Sequence, residues 1–348
     1  MEQARVEARK KPKVLFVLGA TATGKSKLAV AIAKRFDGEV INADKIQVHD
    51  GAPVITNKVT EEEMAGVPHH LLDVLPADAE FTAEDFRREA GRAVARVLAA
   101  GRLPVVAGGS NSYVEELVDR DGAAFRRAHD VLFVSVDAAP ELLRWYTALR
   151  VDDMVARGLV DEARAAFHDD AGAGGAAAEY TRGVRRAIGL PEMHAYLLAE
   201  REGCAGEEEL AGMLARAVQE IKDNIFGLAQ AQVAKIQRLS TLEGWDVRRV
   251  DATPVFARMA ECSAAACDKQ AWESLIWEPS EAMVRRFLET TTLAAPVVTV
   301  EDNASIAAGG GGSDGKPTND AVAADSDGDG GVSSDDRNAN IVTVSQVQ

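Results

Sequence analysis

The stretch KVLFVLGATATGKSKLAVAIAKRF, Lys13 to Phe36, restricts the possible folds more than any other part of the chain. It begins with KVLFVLG, a continuous apolar run of strand length, the pattern of a strand buried on both faces. It ends with KSKLAVAIAKRF, whose apolar residues recur at helical spacing and whose basic residues gather near the end, as a helix prefers. Between the two, Gly19, Gly24, Lys25 and Ser26 stand at the spacing G-x-x-x-x-G-K-[ST]. Such a loop is suited to phosphate. The glycines permit positive φ and a close main-chain approach, so the N–H groups of Gly19, Ala20, Ala22, Thr23 and Gly24 can line one anion hollow. The helix start adds its positive end, Lys25 supplies a cation, and the Ser26 hydroxyl can ligate Mg2+. The motif alone does not choose between hydrolysis, phosphoryl transfer and other phosphate chemistry.

Strand and helix patterns alternate from Lys13 to about Asp137. EVINAD, LPVVAGG and VLFVSVD read as three further buried strands, and TAEDFRREAGRAVARVLAAG as a helix opened by the capping pair Thr82 and Asp85 and closed at Gly101. This alternation predicts an α/β fold, a P-loop NTPase-like parallel sheet flanked by helices. Beyond Asp137 the pattern is almost wholly helical, with a break at Gly158 and a long helix from Glu207 to about Leu242. The expected organisation is a disordered basic arm over 1–12, the α/β core over 13–138, a mainly helical substrate-binding part completing the same fold over 139–295, and a disordered acidic tail over 296–348.

The formal net charge of -16 over 348 residues argues against a chain that coats nucleic acid without specificity. The tail from Pro296 accounts for -7 of it and the body for -9, yet Arg182, Arg185 and Arg186 cluster, a balance suited to a small phosphorylated ligand. No apolar run approaches the length of a membrane span. Cys204, Cys262 and Cys267 fit neither a zinc spacing nor a disulfide framework. Within the tail, DSDGDGGVSSDD (Asp325–Asp336) imitates a calcium-binding loop, but its flanks are poor helices, so an acidic disordered segment is the expected state.

Two carboxylates could work beside the phosphate loop. Asp137 ends VLFVSVD and could hold Mg2+ as in a P-loop kinase of small molecules. Asp44 ends the second strand and would share the loop's rim of the sheet, as a base, a metal ligand or merely a cap for the next segment. His69 and His70 lack a third ligand and are expected to pack or hydrogen-bond.

Taken together, GATATGKSKLAVAIAKRF, VINADKIQVHDG, GVPHHLLDV, VVAGGSNSYVEELV, RVDDMV, ARGLVDE, GVRRAIGLPE and EIKDNIFGLAQAQVAKIQRL resemble the isopentenyltransferase family, and within it the plant adenylate isopentenyltransferases that begin cytokinin synthesis. The matches run in order from Lys13 to about Leu239. The resemblance implies transfer of a dimethylallyl group from dimethylallyl diphosphate to N6 of the adenine in AMP, ADP or ATP, with Mg2+ as cofactor. The loop would then stabilise a departing diphosphate. Asp44 falls on the family's catalytic aspartate, which takes the amine proton, and Thr21 on a threonine that helps place the reacting groups. Ser110 would lie near the diphosphate. Arg185 or Arg186, with Lys222 and Asn224, would meet a phosphate.

Three departures stand out: Ala22 where relatives carry Gly, read as an unconstrained loop position; Ala43 where Ser is common; and His49 in place of Tyr, which could alter nucleotide contacts. A sister branch performs the same chemistry on an anticodon-loop adenine of tRNA. AGGSNSY instead of AGGTGLY, the acidic body and the absence of any His after His194 favour the free nucleotide. No nucleic-acid or membrane partner, a monomer, and a cytoplasmic location with the plastid as alternative complete the expectations.

Overall fold

The computed structural model describes residues 10–167, 180–261 and 268–290. The chain divides into two units, 1–297 and 298–348. Most of the basic arm, the run Ala171–Glu179, Cys262, Cys267 and the tail with its calcium-like loop lie outside the described residues.

The apolar run at the start becomes β1 (Lys13–Gly19), buried from Val14 to Gly19. It lies inside a six-stranded, wholly parallel sheet with β2 (Gly38–Asn42), β3 (His69–His70), β4 (Leu103–Ala107), β5 (Asp130–Asp137) and β6 (Val247–Asp251). The order is β3-β2-β4-β1-β5-β6. Register pairs Val17 and Asn42 with Ala107, and Gly19 with Val136, so the strands finish along one rim. Successive β1 side chains point to opposite faces and find helices on both, which is why the run is apolar throughout. Leu15 and Val17 pack with α1 (Lys25–Arg35), whereas Val14, Phe16 and Leu18 pack with α3 (Ala83–Ala99) and α4 (Asn111–Ala128). A single capped turn, α2 (Glu61–Met64), precedes β3.

The expected Thr82 cap is present: its hydroxyl accepts from the Asp85 N–H at 3.1 Å, and the Asp85 carboxylate accepts from the Thr82 N–H at 3.0 Å. Gly158, at φ 103, separates α5 (Pro140–Ala156) from α6 (Leu159–Ala166). A 3-10 turn at Gly183–Arg186 leads to α7 (His194–Glu202) and then α8 (Glu207–Leu239). At 33 residues, α8 runs about 50 Å. Ala217 and Ile221 pack into a cluster with α5, α6 and α7, Ala229 packs with Ala20 and Ala22 of the phosphate loop, and Ile236 and Leu239 reach the sheet core. One helix thus joins the helical part to the loop.

The region beyond Asp137 is less purely helical than its pattern suggests, because β6 adds a sixth strand beside β5. It is an edge strand on which only Val250 is buried, so the alternation that announces a strand is missing. Helices α9 (Thr253–Glu261), α10 (Asp268–Trp272) and α11 (Glu278–Glu289), the last two joined through a π-helical turn at Glu273–Trp277, complete the described fold.

Candidate active site

The loop from Gly19 to Gly24 has the geometry an anion requires. Gly19 sits at φ 151, and a Cβ there would meet Thr23 Oγ1 at 2.6 Å and the Val136 carbonyl at 2.8 Å, so no larger residue fits. Gly24 is the N-cap of α1 at φ 91 and offers no side-chain cap. The Lys25 and Ser26 amides at the start of α1, which have no helical acceptor in any helix, therefore remain open to a ligand. Thr23 folds inward, its hydroxyl donating to the Ala20 carbonyl at 2.9 Å, and the Lys25 ammonium donates to the same carbonyl at 3.3 Å. Ala22 is not in an unconstrained position: it is buried at φ 67, in the left-handed region that favours glycine.

Lys25 faces a second cation. Burial, then the charge of Arg150, lower its pKa from the ordinary 10.5 to about 8, with Asp44 acting in the opposite sense. Burial also lowers the Arg150 pKa, and Arg150 has no salt-bridge partner among the described residues. Two desolvated cations beside open amides make a strong anion site.

Asp44 follows β2 on the same rim. Its Oδ1 accepts from the Ile46 N–H at 2.9 Å and the Gln47 N–H at 3.3 Å, an Asx turn that locks the side chain. The capping reading is therefore correct for Oδ1, and it leaves Oδ2 for other work. That oxygen would lie 3.5 Å from a Cβ built on Gly109, which places it against the turn after β4. Ser110 ties this turn to the Asp44 segment: its N–H donates to the Ala43 carbonyl at 3.0 Å and its Oγ accepts from the Lys45 N–H at 2.9 Å. Ala43 is fully buried, and Gly108 lies directly over its backbone, since a Cβ on Gly108 would come within 2.2 Å of the Ala43 carbonyl. A serine at position 43 would have to fit the same closed space.

Two residues of the site escaped the sequence reading. Arg150, on α5, donates to Thr21 Oγ1 at 3.2 Å. Gln232, on α8, accepts from the Thr21 N–H at 2.7 Å and donates to the Gly109 carbonyl at 3.0 Å. Both belong to motifs that carry the family resemblance, RVDDMV and AQVAKIQRL, and that membership was the available signal.

The other expected residues are spread more widely. Arg185 and Arg186 share the Gly183–Arg186 turn, fastened by the Val184 N–H to the Ala77 carbonyl at 2.7 Å. Nη2 of Arg186 is buried without a hydrogen-bond partner among the described residues. On α8, Lys222 pairs with Asp152 at 2.6 Å and Asn224 donates to Glu192 at 2.8 Å. Lys222 precedes Gln232 by about 15 Å along the helix. Asp137 accepts from the Ala138 N–H at 3.0 Å and pairs with Arg249, which occupies the carboxylate that a kinase-like metal site would need. His70 pairs with Glu39 at 2.5 Å, and His69 lies 2.8 Å from the Val67 carbonyl. His49 is fully buried with Nδ1 3.2 Å from the Pro76 carbonyl, and burial lowers its pKa, which keeps it neutral. Among the described residues no group of three His, Cys, Asp or Glu side chains could hold a metal ion. The oxygen donor at hand is the exposed Ser26 hydroxyl, a fit for Mg2+, which keeps several waters and takes most other ligands from substrate phosphate. No described helix is long and apolar enough to cross a membrane.

Fold and site together define a parallel α/β protein whose phosphate loop faces a strand-end carboxylate along one rim of the sheet. The family described as IPP transferase matches residues 47–131 and 120–238. Adenylate isopentenyltransferase 3, chloroplastic, of Arabidopsis thaliana is 44% identical over 288 residues, covering 83% of this chain and 82% of its own length. Adenylate isopentenyltransferase 5, chloroplastic, of the same plant is 45% identical, covering 80% of this chain and 81% of its own. A solved eukaryotic dimethylallyltransferase acting on tRNA shares the fold at a TM-score of 0.66 and 21% identity, covering 82% of this chain and 81% of that one. The chain belongs to the IPP transferase family of prenyltransferases, in its adenylate isopentenyltransferase branch.

Proposed function

We propose that the chain transfers the dimethylallyl group of dimethylallyl diphosphate to N6 of a free adenine nucleotide, the first step of cytokinin biosynthesis. The observation that carries this reading is the placement of Asp44 Oδ2 and the cationic phosphate loop on one rim, joined through Thr21, Gln232 and Gly109. The amine nitrogen attacks the allylic C1, the bond from C1 to the bridging oxygen breaks, diphosphate leaves, and an N6 proton passes to Asp44. Adenine N6 is a weak nucleophile because its lone pair is delocalised into the ring, so removing that proton matters.

Negative charge grows on the diphosphate as the bond breaks. Lys25, Arg150 and the open amides of Lys25 and Ser26 sit ready to meet it and need little reorganisation, while the Thr23 N–H already donates to the Ala20 carbonyl at 3.3 Å. Thr21, held at both its N–H and its hydroxyl, orients the reacting end of the donor, and Ser110 holds the turn beside it. Mg2+, when bound, supplies further positive charge to the diphosphate, with Ser26 as its protein ligand. Lys222, Asn224 and Arg185 lie toward the helical part, where the phosphates of the acceptor nucleotide would extend away from its purine.

The test is a single reaction containing the chain, Mg2+, dimethylallyl diphosphate, AMP, ADP, ATP and tRNA, read by mass spectrometry. A nucleotide heavier by one C5H8 unit supports the reading. Inorganic phosphate released without adduct overturns it in favour of an ATPase or kinase. The fold likeness to a tRNA-acting enzyme favours a second reading, transfer to an anticodon-loop adenine, and modification of tRNA alone would establish that instead. The cytoplasmic location and the monomeric state are proposals as well. A fluorescent fusion of the full-length chain and light scattering test them, against relatives whose names place them in the chloroplast.

A further inference from the structure

Gln232 uses both ends of its carboxamide on main-chain groups from opposite sides of the site. Oε1 accepts from the Thr21 N–H of the phosphate loop at 2.7 Å, and Nε2 donates to the Gly109 carbonyl, in the turn beside Asp44, at 3.0 Å. One partner can only donate and the other can only accept, so these contacts dictate the orientation of the amide. Neither a carboxylate nor an alkyl group can satisfy both. Nε2 and Asp44 Oδ2 also face the same space over the Gly109 Cα, since a Cβ there would lie 2.5 Å from the first and 3.5 Å from the second.

The helix carrying Gln232 has little freedom at this point. Ala229, one turn earlier, is fully buried against Ala20 and Ala22 of the loop, with Leu143 in the same cluster and Val233 packed beside it. Gln232 therefore works as a spacer of set length between the cradle of the leaving group and the proton acceptor.

We infer that Gln232 is a positioning residue that sets the distance between the donor and acceptor halves of the site, and thereby decides whether the allyl group reaches the amine or is lost to water. The inference rests on the transfer reaction proposed above. An allylic carbon with cationic character is captured by whichever nucleophile is in contact when the C–O bond breaks. Capture by N6 forms the N6–C1 bond and sends the proton to Asp44. Capture by water forms an O–C1 bond, releases a proton to solvent and yields dimethylallyl alcohol, with diphosphate leaving in both cases. A shift of about 1 Å in the spacing is enough to change the rate on the order of 100-fold.

The experiment compares the full-length chain with Gln232→Glu, Gln232→Asn and Gly109→Ala, with Mg2+, dimethylallyl diphosphate and AMP. Prenylated nucleotide and prenyl alcohol are quantified separately, KM is measured for each substrate, and the thermal midpoint is recorded. Gln232→Glu keeps the acceptor for Thr21 but sets an oxygen against the Gly109 carbonyl. Gly109→Ala displaces the carboxamide while leaving residue 232 intact, which covers the case of a Gln232 variant that fails to fold. The expected result is a fall in kcat for transfer on the order of 100-fold, with donor KM within about threefold of the parent and a raised ratio of alcohol to prenylated nucleotide. A constant ratio with both products falling together would mean a structural role only. An unchanged kcat, or a rise in donor KM alone, would also overturn the assignment. A parent chain that forms no prenylated nucleotide overturns the proposed function itself, and the inference falls with it.

Discussion

The Arg150 guanidinium donates to the Thr21 hydroxyl across 3.2 Å, linking α5 to the phosphate loop at a point where no carboxylate among the described residues forms a salt bridge with it, although Glu63 and Asp44 act on it from a distance. A half-buried cation held by a neutral hydroxyl is stabilised mainly when an anion arrives. Arg150→Ala is therefore expected to raise donor KM and lower kcat while leaving the apo fold at least as stable. Loss of one hydrogen bond to a charged group, worth roughly 1.5–3 kcal/mol, corresponds to about a 10- to 150-fold fall in kcat/KM for the donor. Arg150→Lys keeps the charge without the fork that reaches Thr21 and should recover only part of it. Steady-state kinetics with thermal unfolding check both; unaltered donor kinetics would remove Arg150 from the site.

Asp44→Asn separates the two duties of that side chain. The amide oxygen can still accept from the Ile46 and Gln47 N–H groups, so the turn after β2 persists. What disappears is the proton acceptor proposed for N6. Transfer is expected to fall by about 10²- to 10⁴-fold, with donor binding retained, as measured by competition with inorganic diphosphate. Full activity would place the base elsewhere.

Ala22 shows how opposing small terms decide a substitution. Relieving a left-handed alanine at φ 67 gains roughly 1–2 kcal/mol. Ala22→Gly gives back about 0.4–1 kcal/mol through the freer unfolded chain. It also loses a methyl packed near Ala229, which is worth about 0.8 kcal/mol. The terms nearly cancel, so the expected change in stability is within about 1 kcal/mol of zero. Ala22→Val, β-branched at the same φ, should lose about 2 kcal/mol or more together with donor binding. Chemical denaturation of the three proteins checks the series.

What the sequence revealed, and what it hid, follows contact range. The phosphate loop, the Thr82 cap and the Gly158 break are local, each settled by residues within a few positions of one another. Asp44 was legible because a parallel sheet sends every strand end to one rim. Gln232 was not, since it meets Thr21 across 211 positions and looks in sequence like any polar residue of a long helix. Arg150 was hidden in the same way, 129 positions from Thr21. Strand β6 was missed because Arg248 and Arg249 are exposed at the sheet edge, and a strand with one buried side chain leaves no period to read.

Lys25 is expected to make the proposed donor site sensitive to pH. Burial, reinforced by Arg150, lowers its pKa from 10.5 to about 8, so the folded chain holds this proton less tightly than the unfolded chain does. Between those two values the unfolded state binds more protons, and the stability of the ligand-free protein rises with pH across that window. Below about 8 the ammonium is charged in both states, and the fold bears the full unfavourable contribution. A diphosphate reverses the preference, because an anion beside Nζ favours the charged form. Donor KM is therefore expected to rise as pH passes about 8, approaching tenfold per unit where Lys25 alone governs binding, while inorganic diphosphate stabilises the protein most below that point. Lys25→Met should remove the inflection and make the ligand-free protein more stable at pH 7, at the expense of donor affinity. Donor KM measured from pH 7 to 10, with thermal midpoints on the same samples, checks both signs; a flat KM profile in the parent would show that Lys25 does not meet the diphosphate as a titrating cation.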